Sequence, residues 1–440
     1  MTPPGPSRAL LDGLLAVIRQ AADADRITRA ALHSVPGADW LAARPPGAVL
    51  AFGKASVQMA RAAEAALGPQ LSAGLILGPQ EFIGPSDLPG RFEAHAVDHP
   101  RPTSRNVEAA RRVARFVEQL EPGATLLCLI SGGGSAHLAL PVRGVSLEDI
   151  ASVSSALMRA GATIRQLNAV RKHCEQLKGG GLARRILERG AGVICLIMSD
   201  VVGDPPDVIS SGPLSPDTST YADALAVLDR FGCRHVSPPV AAHLEAGRRG
   251  EIPETLKADD PLLADPANLR WTIIANHQRP ARAVATACAE AGYDPRLTTG
   301  LEGPASEIGR RLAQQALAAP APAAIVLAGE WTVDASGAPP GAAGGPSQEL
   351  ALAAAIGLDG RPDIHVVAYS TDGVDGPTDA AGAIIDGTTC RRARLGGLDP
   401  AAALAGHDSG GLLGRLGATI PGGPAGTNLN HVAVAIIGAR

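Results

Sequence analysis

Aromatic side chains make up only 2 % of these 440 residues. A core without large rings has to be filled by Ala, Leu, Val and Ile, which suits helices packed on a parallel sheet. The six cysteines, Cys128, Cys174, Cys195, Cys233, Cys288 and Cys390, are scattered without a C-x-x-C, and H-E-x-x-H is absent. A zinc centre or disulfide framework is thereby excluded, and Cys128 and Cys195, inside apolar runs, read as small core residues. No apolar run reaches membrane-spanning length, and the proline-rich opening Met1-Thr2-Pro3-Pro4-Gly5-Pro6 carries no charged leader, so a soluble, reducing, cytoplasmic protein is expected. The formal charge of −4, from 39 basic and 43 acidic residues, leaves no footprint for nucleic acid or an anionic membrane.

What is present is a repeated grammar of apolar strand followed by polar or glycine loop. Ala48–Phe52 runs into Gly53-Lys54-Ala55, residues 125–130 into Ser131-Gly132-Gly133-Gly134-Ser135, and residues 192–198 into Ser199-Asp200. Helical segments alternate with these strands, which implies right-handed crossovers and a mostly parallel α/β sheet. Residues 7–33 read as one amphipathic helix. Proline-rich, charged sequence over 236–268 suggests a boundary between domains at 1–245 and 265–440. A second alternating set follows, with strands at 271–275, 324–328, 363–369 and 432–437, and the Gly, Ala and Pro-rich stretch 334–345 reads as a mobile loop.

Each loop carries a chemical expectation. The triple-glycine loop offers backbone N–H groups as an anion cradle. It is neither a dinucleotide fingerprint, because His137 stands where a small residue is needed, nor a Walker A loop. Lys54, at a strand end, can reach a bound anion. Asn168, Arg171, Lys172 and His173 concentrate cationic groups ahead of Lys178-Gly179-Gly180, and Asn168 shares a helical face with Arg171 or Lys172. Asp200 and Asp204 after one strand, and Asp372, Asp375 and Asp379 after another, are placed to hold a metal phosphate or take a proton. Ser210 and Ser211 add hydroxyl donors. Together these features suit magnesium-assisted phosphoryl transfer.

The ordered set Gly53-Lys54-Ala55, Asp98-His99-Pro100, residues 131–136, residues 167–173, Lys178-Gly179-Gly180, Ser199-Asp200-Val201, Ser211-Gly212-Pro213, Gln348-Glu349-Leu350-Ala351, residues 371–379 and Gly426-Thr427-Asn428 resembles the glycerate 2-kinase family. The C-terminal part of that family is called MOFRL, and some members carry the label hydroxypyruvate reductase. The resemblance implies a Rossmann-like N-terminal domain, a smaller α/β C-terminal domain and a site in the cleft between them. It further implies transfer of the ATP γ-phosphoryl group to the 2-hydroxyl of D-glycerate, with Mg2+. On this reading Lys54, Asp200 and Asp372 are catalytic. Ser131, Gly132, Gly133, Gly134, Ser135, Asn168, Arg171, Lys172, Lys178, Gln348, Glu349 and Asn428 bind nucleotide, phosphate or substrate. Asp200, Asp204, Asp375 and Asp379 bind metal. A small hydroxy acid is the expected partner, with a homodimer as one assembly option.

Three features depart from the family pattern, one of them the rebuilding of the stretch before Pro346 as Ala- and Pro-rich sequence. Gly344-Gly345-Pro346-Ser347-Gln348-Glu349 replaces Gly-Gly-Arg-Asn-Gln-Glu, losing an arginine, and Thr427-Asn428-Leu429-Asn430-His431 replaces Thr-Asn-x-Asn-Asp. The rival readings are a kinase for another 2-hydroxy or sugar acid, a nicotinamide-dependent reductase, and a non-catalytic nucleotide or hydroxy-acid binder.

Overall fold

The computed structural model describes residues 6–34, 37–84 and 90–438; the first five residues of the proline-rich opening lie outside them. The chain forms two compact units, residues 24–274 and residues 1–23 with 275–440.

In the first unit, strands β1 (Ala48–Phe52), β2 (Ala73–Gly78), β3 (Phe92–Ala96), β4 (Thr125–Ile130), β5 (Gly192–Met198) and β6 (Leu269–Ala275) form one sheet in the order β3-β2-β1-β4-β5-β6. The pairs β1–β2, β2–β3, β1–β4 and β4–β5 are parallel. β1, β4 and β5 are buried at every position, as unbroken apolar runs in a doubly covered sheet require. The chain winds outward from β1 to β3 and then crosses back to β4. The boundary between β1 and β4 is therefore a topological switch point, the place where ligands collect in open parallel sheets.

In the second unit, β7 (Asp294–Pro304), β8 (Ala323–Thr332), β9 (Ile364–Ser370), β10 (Ala380–Asp386), β11 (Thr419–Pro421) and β12 (His431–Ile437) follow the order β11-β10-β9-β12-β8-β7. Only β7–β8 is parallel; β8–β12, β12–β9, β9–β10 and β10–β11 are antiparallel. A mixed sheet thus replaces the mostly parallel one expected. The helix Pro346–Gly357 packs with β9 and β10. The run 334–345 before it has no regular secondary structure.

Three boundaries differ from the sequence reading. The helix expected over 7–33 is two helices, Arg8–Ala21 and Ala24–Leu32, divided at Ala22–Asp23. The stripe Leu11, Leu14, Leu15 and Ile18 buries against Val326, Val434 and Ile436 of the second sheet, whereas Ala24–Leu32 packs on the helix Ser56–Leu67 of the first. One helix cannot serve both cores, so the chain breaks where it changes unit. The strand at 271–275, expected to open the second domain, instead extends the first sheet as β6, and Val193 N–H donates to Asn268 O at 2.8 Å beside it. By its contacts the chain divides after residues 23 and 274, where composition suggested 1–245 and 265–440. All six cysteines are free and buried. Among the described residues no helix is long and apolar enough to cross a membrane.

Candidate functional site

Phe52 and Ile130 are register partners, so Gly53-Lys54 and Ser131-Gly132 leave the sheet side by side. Lys54 N–H donates to Gly132 O at 2.8 Å, and Ala55 N–H to Ser131 Oγ at 3.0 Å. Gly53, at φ 112°, has no room for a Cβ, which would overlap Ser131. Gly133 is left-handed at φ 84°, and a Cβ there would stand 3.2 Å from His99 Nε2 and 3.5 Å from Lys54 Cγ. Both side chains therefore run along the glycine loop.

The N–H groups of Gly132, Gly133, Gly134 and Ser135 donate to no group among the described residues, although Gly132 and Gly134 are buried. Buried backbone donors are almost always paired, so a row of open ones calls for a ligand acceptor. Successive N–H groups around a left-handed glycine make the concavity that holds anions.

A second turn closes the corner. Ser210 and Ser211 hold left-handed backbone, φ 52° and 62°, which costs a non-glycine residue free energy. Ser211 Oγ lies 2.9 Å from Ser135 Oγ and donates to Asn168 Oδ1 at 3.2 Å. The Asn168 amide Nδ2 donates to no described residue. Ser210 Oγ is buried against Gly134 with no hydrogen-bond partner in the structure. Gly179 and Gly180 N–H groups donate to Ser211 O and Gly212 O at 3.0 and 2.7 Å.

Lys172 is buried and ion-paired with Asp217 at 3.2 Å and Asp207 at 3.4 Å, on either side of the serine turn. Despite burial, which opposes it, the Lys172 charge helps hold the Asp217 carboxyl below the usual range. Lys178 is buried against Glu175, and desolvation, with Arg171 nearby, brings its ammonium down to about 8. Arg171 is 19 % exposed and 3.9 Å from Glu175. Lys172 and Lys178 thus clamp the serine turn and its neighbouring loop, because buried ammonium groups require local anions.

Two residues that the sequence reading left out complete the corner, His99 and His137. Gly53 N–H donates to His137 Nδ1 at 3.0 Å, so Nδ1 is the acceptor and Leu77 O, 3.3 Å away, merely packs beside it. The proton of the neutral ring then sits on Nε2, which has no partner. Desolvation first, then His99 and Lys54, hold this imidazole down at about 4. Asp98-His99-Pro100 was a visible signal for His99; nothing local marked His137.

The acidic loop after β9 in the second unit behaves differently. Asp375 is fully buried, and accepts from Ser347 N–H and Gln348 N–H at 2.8 Å each and from Gln348 Nε2 at 3.0 Å. It caps the helix Pro346–Gly357, whose own N-cap, Gly345, has no side chain to do so. Both its oxygens, read from the sequence as metal ligands, are engaged by this helix terminus, and burial pushes the carboxyl up even so. Asp372 Oδ1 accepts from Ser370 Oγ at 2.8 Å and Val374 N–H at 3.1 Å, and Asp379 is exposed. Gln348, expected from the sequence to bind ligand, also donates to Thr378 Oγ1 at 2.9 Å, and Glu349, expected likewise, pairs with His407 at 2.8 Å. Asn428 accepts from Asn430 N–H at 3.2 Å. Pro346 occupies the first helical turn, where its missing N–H costs nothing. Among the described residues no three His, Cys, Asp or Glu side chains form a metal-holding group.

Residues 11–245 match a domain of unknown function, DUF4147, and residues 323–431 match the MOFRL family. The D-glycerate 2-kinase of Thermotoga maritima is 38 % identical over 88 % of this chain and 90 % of its own length. The glycerate 2-kinase of Pyrococcus horikoshii is 36 % identical over 89 % and 87 %, and a putative hydroxypyruvate reductase of Agrobacterium vitis 36 % over 90 % and 88 %. The crystal structure of the Thermotoga maritima glycerate kinase superposes with a TM-score of 0.84 at 34 % identity, covering 98 % of this chain and 99 % of that one. The chain belongs to the glycerate 2-kinase family, with a DUF4147 part and a MOFRL part.

Proposed function

We propose that this chain is a phosphotransferase that moves the γ-phosphoryl group of ATP to the 2-hydroxyl of D-glycerate. The observation that carries the reading is the row of four unpaired N–H groups beside Lys54 at the switch point of the first sheet. Kinases among its relatives act on glycerate by name. The open N–H groups of Gly132–Ser135 fit phosphate or carboxylate oxygens, with the Asn168 amide as a further donor. Lys54 neutralises charge developing on the transferred group, which in such reactions supplies much of the acceleration. His137, neutral and buried, holds the Gly53 backbone that presents Lys54.

Magnesium beside phosphates takes only one or two protein carboxylates. Asp200, Asp204, Asp372 and Asp379 are the carboxylates assigned to it or to the departing hydroxyl proton. Bound magnesium would neutralise phosphate charge. Six free, buried cysteines suit the reducing cytoplasm. A nicotinamide reductase is disfavoured because the first strand–helix turn, Gly53-Lys54-Ala55-Ser56, lacks the glycine spacing that admits a dinucleotide pyrophosphate.

The deciding assay is ADP release from Mg-ATP with D-glycerate, beside other 2-hydroxy and sugar acids and beside hydroxypyruvate with NADH or NADPH. Glycerate-dependent turnover supports the proposal. Turnover only with another acid moves the acceptor, and binding of ATP or acid with no turnover under any condition sinks the kinase reading.

A further inference from the structure

A cavity of about 350 Å³ lies in the first unit, lined by Arg111, Arg143, Leu140, Val142, Val145 and Gln176 among others, and by no acidic residue. Arg111 and Val107 stand one turn apart on the helix Ser104–Glu118. Both arginines are exposed, and neither forms an ion pair with any described residue. The wall is firm. Gln176 donates to Pro141 O at 2.8 Å and accepts from Arg185 at 2.8 Å, so its amide cannot swing away. Val142 N–H donates to Cys174 O at 3.0 Å and Gln176 N–H to Leu140 O at 2.8 Å. The cavity is thus built where the segment leaving the glycine loop pairs with the segment entering Lys178-Gly179-Gly180.

Two unpaired guanidinium groups over an apolar wall, in a space the size of a small-ligand pocket, have a definite complement. We infer that this cavity binds a small organic anion, a phosphate monoester or carboxylate with an apolar body, at a site separate from the glycine cradle. Because both paired segments continue into the cradle and its clamp, occupancy acts as an effector signal on that corner. The inference does not depend on the identity of the acceptor acid.

The test is calorimetric titration of the full chain with phenyl phosphate, benzoate and inorganic phosphate, in the wild type, in Lys54→Ala and in the double variant Arg111→Gln/Arg143→Gln. Binding of phenyl phosphate or benzoate should persist in Lys54→Ala and weaken about tenfold or more in the double variant, the loss expected when charged hydrogen bonds are removed. Whichever of the two binds tighter identifies the headgroup as ester or carboxylate. Equal binding in the wild type and the double variant would overturn the site, and inorganic phosphate binding as tightly as phenyl phosphate would overturn the apolar complement. In turnover assays phenyl phosphate should change KM at least twofold in the wild type and not in the double variant, whose turnover without it stays normal; binding without any kinetic change would overturn the effector role. Failure of glycerate turnover would leave the titrations intact, so the two readings fail separately.

Discussion

The corner at the ends of β1 and β4 and the corner after β9 follow the same sequence grammar, an apolar strand and then glycine with polar residues, yet they spend their polar groups in opposite ways. In the first, four N–H groups, the Asn168 Nδ2 and the Ser210 hydroxyl have no hydrogen-bond partner among the described residues. In the second, Asp375 accepts three hydrogen bonds from one helix terminus, and Gln348 and Glu349 are bound to neighbours. Unsatisfied polar groups in a buried place are retained only where something else satisfies them. Satisfied ones are architecture. The contrast is the ground on which anion binding is proposed for the first corner, while the second caps a helix.

The sharpest way to break this contrast is Lys54→Ala. It should cut glycerate-dependent kcat by about 10²–10³-fold, the size of one removed charge-stabilising group, while the thermal midpoint moves little. A comparable loss of stability would make Lys54 architectural and erase the distinction.

Asp375→Ala should do the reverse, lowering the unfolding free energy by about 2–3 kcal/mol through the orphaned N–H groups of Ser347 and Gln348. Denaturant titration followed by hydrogen exchange over 346–350 reads it. Unchanged stability with lost turnover would transfer Asp375 to the chemistry.

Third in size is a pH effect. His137 titrates at about 4 when folded against 6.5 when exposed. The unfolded chain therefore binds the proton first as pH falls, and stability that is complete above 6.5 is lost progressively down to 4. Between pH 7.5 and 5 the wild type should lose about 2 kcal/mol from this group. His137→Gln, which cannot be protonated, should flatten that part of the profile in denaturant titrations at both pH values.

The smallest effect has the opposite sign. Ser210→Gly removes the left-handed strain and should raise stability by about 1 kcal/mol, yet weaken nucleotide or acid binding by removing an unpaired hydroxyl. A merely structural Ser210 would give stabilisation with unchanged KM.

Much of the first corner was legible because strand ends and glycines are local signals. Lys54 and residues 131–135 lie where an apolar run stops, and only a parallel sheet buries such runs on both faces. The ion pairs of the cationic cluster were not legible, because charge counts do not say whether a lysine faces out; Lys172 and Lys178 meet Asp217, Asp207 and Glu175 only after the chain has folded. The capping role of Asp375 was hidden for the same reason, since a helix N-terminus donates to a carboxylate as readily as a metal accepts one.

By itself the sequence determined the strand-and-loop grammar, the glycines that no larger residue can replace at close backbone approach, and the family the chain resembles. It determined these through short-range sterics and hydrophobic runs, which act between residues a few positions apart. Tertiary structure alone decided that residues 8–21 join the C-terminal core, that β6 completes the N-terminal sheet, and which polar groups remain open. Those outcomes depend on which surfaces meet after hundreds of intervening residues have packed, and on whether a partner happens to lie within hydrogen-bond reach.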